Sequence, residues 1–134
     1  MKRLTLIATS ALLGIGSSAF AEIENLTIDS GTISSSTGIA SLSGTVTCTA
    51  DHTVIINNAT AAQIQDNKLA TASGSSSSGM RCTGSSQPWT VVLNSFTSGP
   101  PLKPGAAICN AFAVDMPGAD SEGVVAEVVL QPVD

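Results

Sequence analysis

The sequence predicts an all-β fold, an antiparallel sandwich of about seven or eight short strands, and three observations carry that expectation. Apolar and polar residues alternate with a period of two in several segments, most cleanly in "SLSGTVTCTA" (41–50). There Leu42, Gly44, Val46, Cys48 and Ala50 share one face, and Ser43, Thr45, Thr47 and Thr49 the other. Thr, Ser, Val, Ala and Gly dominate the composition, while the Glu, Lys, Leu and Arg that fill amphipathic helices are few. Clusters of Gly, Pro, Asn, Asp and Ser separate the alternating runs, as turns do.

In chain order, residues 1–21 read as an export signal. Lys2 and Arg3 precede the apolar "LTLIATSALLGIG", and Ala19-Phe20-Ala21 supplies the small-x-small pattern that signal peptidases cut. The apolar run is short and interrupted by Thr, Ser and Gly, unlike a permanent membrane span. The mature chain is expected to start at Glu22, and residues 22–134 to form a single domain with one core.

Within it, "EIENLTID" (22–29) puts Leu26 and Ile28 in phase and Ile23 out of phase, and "GTISSSTGIA" (31–40) reads as a turn or a bent edge. After the clear strand at 41–50, "TVIINN" (53–58) is a short strand ending in the turn-prone pair Asn57-Asn58. "ATAAQIQDNKLATA" (59–72) fits two strands bent at Asp66-Asn67, with a helical turn as the alternative. "SGSSSSG" (73–79) is a low-complexity loop, after which Met80 and Cys82 face inward and Arg81 and Thr83 outward. Beyond the turn "GSSQP" (84–88), Trp89, Val91 and Leu93 share one face, which makes Trp89 a core anchor. The prolines of "SGPPLKPG" (98–105) dictate an extended connection.

"AAICNAFAVD" (106–115) allows two facings: Cys109, Ala111 and Ala113 point inward if Asn110 meets water, or Ile108, Phe112 and Val114 do if it is buried. A loop, "MPGADSEG" (116–123), leads to a last strand with Val124, Ala126, Val128 and Leu130 inward and Glu127 outward.

Loss of Lys2 and Arg3 with the signal would take the formal charge from −5 to −7. Lys68, Arg81 and Lys103 are then the only basic residues, so phosphate-rich partners, nucleic acid and anionic lipid are disfavoured. The acids are scattered, which suits solubility better than a metal cage.

Three cysteines in an exported chain allow three single pairs and leave one thiol over. Cys48 and Cys82 both fall on the apolar faces of strands, and a bond between them would contribute roughly 3–4 kcal/mol on the chain-entropy account. Pairs that use Cys109 are the alternatives. Trp89, inward on the strand after Cys82, would pack near the sulfurs. Left over, Cys109 is either a buried thiol acting as a small hydrophobe or the site of an intermolecular disulfide that makes a covalent dimer.

A reactive thiol or hydroxyl would need an activating partner. The single histidine, His52, follows Asp51 in "TADHTV", but no G-x-S-x-G elbow accompanies it, and a lone turn histidine is ordinarily solvated. Neither Cys-x-x-Cys nor His-x-x-x-His spacing occurs, so no metal or other cofactor is expected. Arg81 reads as a solvated residue. The triplets "NLT" at Asn25 and "NAT" at Asn58 matter only in a host that glycosylates them.

"GTVTCT" (44–49), "RCTGSSQPWTVVL" (81–93) and "LKPGAAICNAFA" (102–113) resemble a group of small secreted bacterial domains. These carry a Gly-Thr-Val-Thr-Cys strand, then Cys-x-Gly-x-x-Gln-Pro-Trp, and a Pro-Gly turn before an Ala-rich strand. The resemblance implies an immunoglobulin-like sandwich of unassigned activity, with the cysteines matching Cys48 and Cys82 as partners; Cys109 and the "SGSSSSG" loop lie outside the pattern. Immunoglobulin domains place their core Trp between the two cysteines, whereas Trp89 follows both.

The expected function is therefore that of an exported, secreted or periplasmic, non-catalytic domain that binds a protein or surface partner or serves a structural role outside the cell. One alternative is a pilin-like fibre subunit that donates residues 22–40 to a neighbour. A weaker one is a secreted inhibitor or small-ligand carrier.

Overall fold

The computed structural model describes residues 23–76, 78–95, 99–116 and 120–133. The expected export signal lies outside these residues, as do Ser77 of the 73–79 loop and residues 117–119 of the 116–123 loop. Among the described residues every regular element is a strand: β1 (Ile23–Leu26), β2 (Ser30–Ile33), β3 (Ala40–Cys48), β4 (Thr53–Gln65), β5 (Lys68–Gly74), β6 (Met80–Arg81), β7 (Gln87–Ser95), β8 (Gly105–Asp115) and β9 (Ser121–Pro132). The all-β expectation holds; the sandwich does not. The strands run β3-β2-β9-β8-β4-β5-β7 and return to β3, a closed seven-stranded barrel, with β1 added beside β3 and β6 beside β4.

Two seams close the ring. β2 lies parallel to β9, with Gly31 opposite Leu130, and β5 meets β7 through Ala72 opposite Ser95 and Ser73 opposite Asn94. Parity could not have distinguished these outcomes, because the alternation of inward and outward residues is the same in a sandwich and in a small barrel. Side-chain size is what favours closure. Facing sheets of a sandwich stand about 10 Å apart and need medium-sized residues to fill the gap, whereas this interior holds Ala40, Ala59, Ala61, Ala70, Ala72, Ala107, Ala111, Ala113 and Ala126. Small inward residues let the sheet curl on itself. Larger ones, among them Ile28, Ile33, Leu42, Ile56, Leu93 and Leu130, fill the remaining space.

Local departures from the sequence reading have identifiable causes. Asn57-Asn58 does not end a strand: β4 continues for 13 residues, and its register with β8 slips between Ile56 and Asn58. Such a bulge bends the strand, as a barrel requires. A second slip, between Ile23 and Asn25, lets Ile23 point inward although it is out of phase with Leu26. Asp66 and Asn67 form the predicted hairpin bend, with φ of 51° and 68°, the left-handed pair that a two-residue turn requires. Ser30–Ile33 is strand, not turn, and β9 begins at Ser121 inside the expected loop. In β8 the first facing is realised, with Cys109, Ala111 and Ala113 buried and Asn110 exposed.

Trp89 is buried on β7 opposite Gly44. Where β1 breaks before β2, the carbonyl of Thr27 turns in over Gly44 and, with that of Thr45, accepts the indole Nε1–H at 3.1 and 3.2 Å. The missing side chain at Gly44 creates the room that carbonyl occupies.

Candidate binding face

One mouth of the barrel holds the bridged cysteines with Arg81 and His52, while Trp89 and Cys109 lie further along the barrel. Cys48, the last residue of β3, is bonded to Cys82, just beyond β6, and both are buried. The two closing seams lie towards the opposite mouth, so the disulfide links β3 to the β4–β6 pair where ladder bonds do not. The turn between is fixed by backbone bonds from Cys82 N to His52 O, Asp51 N to Cys82 O and Gly84 N to Cys48 O. Register places Trp89 four residues along β3 from Cys48, about 13 Å; its polar contacts are to Thr27 and Thr45.

His52 pairs with a residue the sequence did not single out. Its Nδ1 lies 3.1 and 3.2 Å from the two carboxylate oxygens of Asp115, which is fully buried at the end of β8. Asp51 instead accepts a bond from Arg81 at 3.1 Å, with both side chains largely exposed, a pairing of small energetic consequence. Asp120 binds the backbone N–H of Ile23. This cluster holds the chain ends of β1, β8 and β9 together. Among the described residues no group of three His, Cys, Asp or Glu side chains is arranged to hold a metal.

Cys109 is a free thiol, fully buried in the barrel interior, and burial pushes its pKa up to about 11. A thiol that is neither exposed nor ionised at neutral pH is slow to form a disulfide with another chain.

The barrel's outer surface is more informative. Outward positions of β3 carry Ser41, Ser43, Thr45 and Thr47. Those of β5, β4, β8 and β9 carry Leu69, Ile64, Ile108, Phe112, Val125 and Val129, all exposed, Ile64 by as much as 73%. Cross-strand register makes them one surface. Ile64 stands opposite Leu69; Ile108 stands between Ala62 and Glu127; Ala106 stands opposite Val129; and Phe112 stands between Asn58 and Gly123. Two shallow grooves run through it, one of about 310 Å³ along Ala62, Ile64, Leu69, Ile108 and Glu127, the other of about 350 Å³ along Asn58, Phe112 and Val125.

One wall is braced from inside. Gln63, buried at the far mouth, donates to the carbonyls of Lys103 and Ala106 and accepts from Lys103 N–H and Gln65 Nε2. The proline-rich connection is thereby tied to β4, and Leu102 is buried beneath it.

The sequence reading missed this face, though its signal was present. "VVAEVVLQ" (124–131) carries apolar residues in both phases, the mark of a strand with something to cover on each side. Asn58, one of the two glycosylation triplets, lies on the same face and is exposed.

In comparisons with protein-family models and with curated proteins, nothing matches this chain.

Proposed function

We propose that the chain is an exported, non-catalytic β-barrel module that binds another protein through the outer face of β5, β4, β8 and β9. The observation that carries this reading is the run of exposed aliphatic and aromatic side chains on four adjacent strands. The largest exposed apolar patch of a monomer is often its functional surface. The concentration of these side chains on β5, β4, β8 and β9, with Val92 of β7 exposed beyond them, favours a docked partner over a lipid surround: transmembrane barrels wear an apolar band around the whole circumference and a polar interior, whereas here the interior is apolar and β3 presents Ser and Thr outward. Export is supported by the basic-apolar-small pattern of residues 1–21 and by an intramolecular disulfide, which persists in oxidising compartments. Strand donation is less well supported, because the candidate donor pairs within its own chain, Ser30 with Ser43 and Gly31 with Leu130.

Site-specific photocrosslinking in the exporting cell tests the reading. A photoreactive residue at Val129 should give a discrete adduct, and one at Thr47 none. Equal labelling from both positions, or an enzymatic activity that disappears in His52→Ala, would overturn it.

A further inference from the structure

Among the outward residues of the face Thr60 and Asn110 are polar and uncharged, and Glu127 is its one carboxylate. Glu127 stands opposite Ile108 in the β8–β9 ladder, and Val125 and Val129 flank it on the same side of β9. Two quantities bear on what covers it. The first is area: three inter-strand spacings and six residues of β8 give about 15 by 20 Å, or about 300 Å². A stable globular interface needs about 800 Å² from each partner. The second is charge. Without Lys2 and Arg3 the chain's formal charge of −5 becomes −7. A second copy docked through the same face about a two-fold axis would bury two Glu127 carboxylates in one small apolar contact, where like charges repel most. An anionic lipid surface meets the same objection.

We infer that the occupant is a short cationic amphipathic segment of another protein. It lays apolar side chains over Ile64, Leu69, Ile108 and Val129 and sets a Lys or Arg against Glu127. The inference rests on the protein-binding reading and adds the chemistry of the partner. As the aliphatic surround excludes water, the carboxylate–cation bond strengthens, and the acidic field of the remaining surface speeds encounter with a basic segment.

The test titrates a matched pair of short amphipathic peptides, one Leu/Lys and one Leu/Glu, into isotope-labelled protein beginning at Glu22, followed by amide NMR shifts. The Leu/Lys peptide should shift the amides of Ala62, Ile64, Ile108 and Glu127 and bind at least about tenfold more tightly than its partner. Glu127→Gln should remove most of that preference. Asp29→Asn, which makes the same charge change against β3, should not. Ile108→Ser, at an exposed position, should weaken binding of the Leu/Lys peptide about tenfold. If both peptides bind this face equally and Glu127→Gln changes nothing, the cationic partner is wrong while the binding face stands. If shifts scatter over the acidic surface, if anionic vesicles shift the same amides, or if sedimentation finds the face buried in a dimer, the inference falls. If no titrant shifts the face at all, the binding reading falls with it.

Discussion

Gly44→Ala probes the barrel where its geometry is least forgiving. The backbone at Gly44 needs no left-handed conformation, so the substitution is harmless by propensity. The obstacle is space: a Cβ there collides with Thr27 O and comes within 2.7 Å of Thr27 C and 3.0 Å of Ile28 Cα. All three are backbone atoms, held by the Thr27 N–H bond to Thr45 O at 2.9 Å and the Asp29 N–H bond to Ser43 O at 2.8 Å. Relief requires β1 to lift from β3, which removes the Thr27 carbonyl from the Trp89 indole. Overpacking costs about 1–3 kcal/mol, and a compromised buried hydrogen bond about 1–3 more. A loss of about 2–6 kcal/mol is expected, a large part of the 5–15 kcal/mol typical of a domain. Gly123→Ala is the internal control, since its Cβ meets Phe112 Cδ1 at an ordinary 3.5 Å; it should be neutral or slightly stabilising. Urea titration followed by fluorescence of the single tryptophan reads both variants at the affected site. Gly44→Ala within about 1 kcal/mol of wild type would refute the close approach of Thr27 and with it the placement of β1.

Replacing both bridged cysteines by Ala frees a loop with a sequence separation of 34 and should cost about 4 kcal/mol, or about 15 °C in Tm, by calorimetry. His52→Ala should destabilise by about 1–3 kcal/mol, because Asp115 is fully buried, and a double-mutant cycle with Asp115→Asn should return a coupling of at least about 0.5 kcal/mol. Cys109, ordinarily at 9.0, is pushed up to about 11 by burial. The folded state therefore keeps a proton that the unfolded state releases. Its contribution is intact below pH 9, and stability falls by about 2–3 kcal/mol as pH rises to about 11. Cys109→Ala should lack that fall in urea titrations across the window.

Inward and outward faces were legible in the sequence; closure was not. Parity identified the buried sets Leu42, Val46, Cys48 and Val124, Ala126, Val128, Leu130, and Asp66-Asn67 marked the hairpin. These signals act within a strand or between chain neighbours. The seams that make a barrel join β2 to β9 and β5 to β7, strands that are not consecutive in the chain, and neither pairing has a local signature. The Ala-rich interior was the available hint, and the likeness to an immunoglobulin-like sandwich pointed away from it. His52 with Asp115 was hidden for the same reason, at a separation of 63 residues, whereas the neighbour Asp51 was conspicuous and pairs elsewhere. The binding face was written in the out-of-phase valines of β9, yet only the pairing of β4, β8 and β9 gathers Ile64, Ile108 and Val129 onto one surface.

Cross-strand nuclear Overhauser contacts at the two seams test the central claim most directly. A closed barrel gives backbone contacts between Gly31 and Leu130 and between Ser73 and Asn94 in the same sample. An open structure with β3, β2 and β7 on one sheet and β9, β8, β4 and β5 on another lacks both, and finding it would contradict the closed barrel.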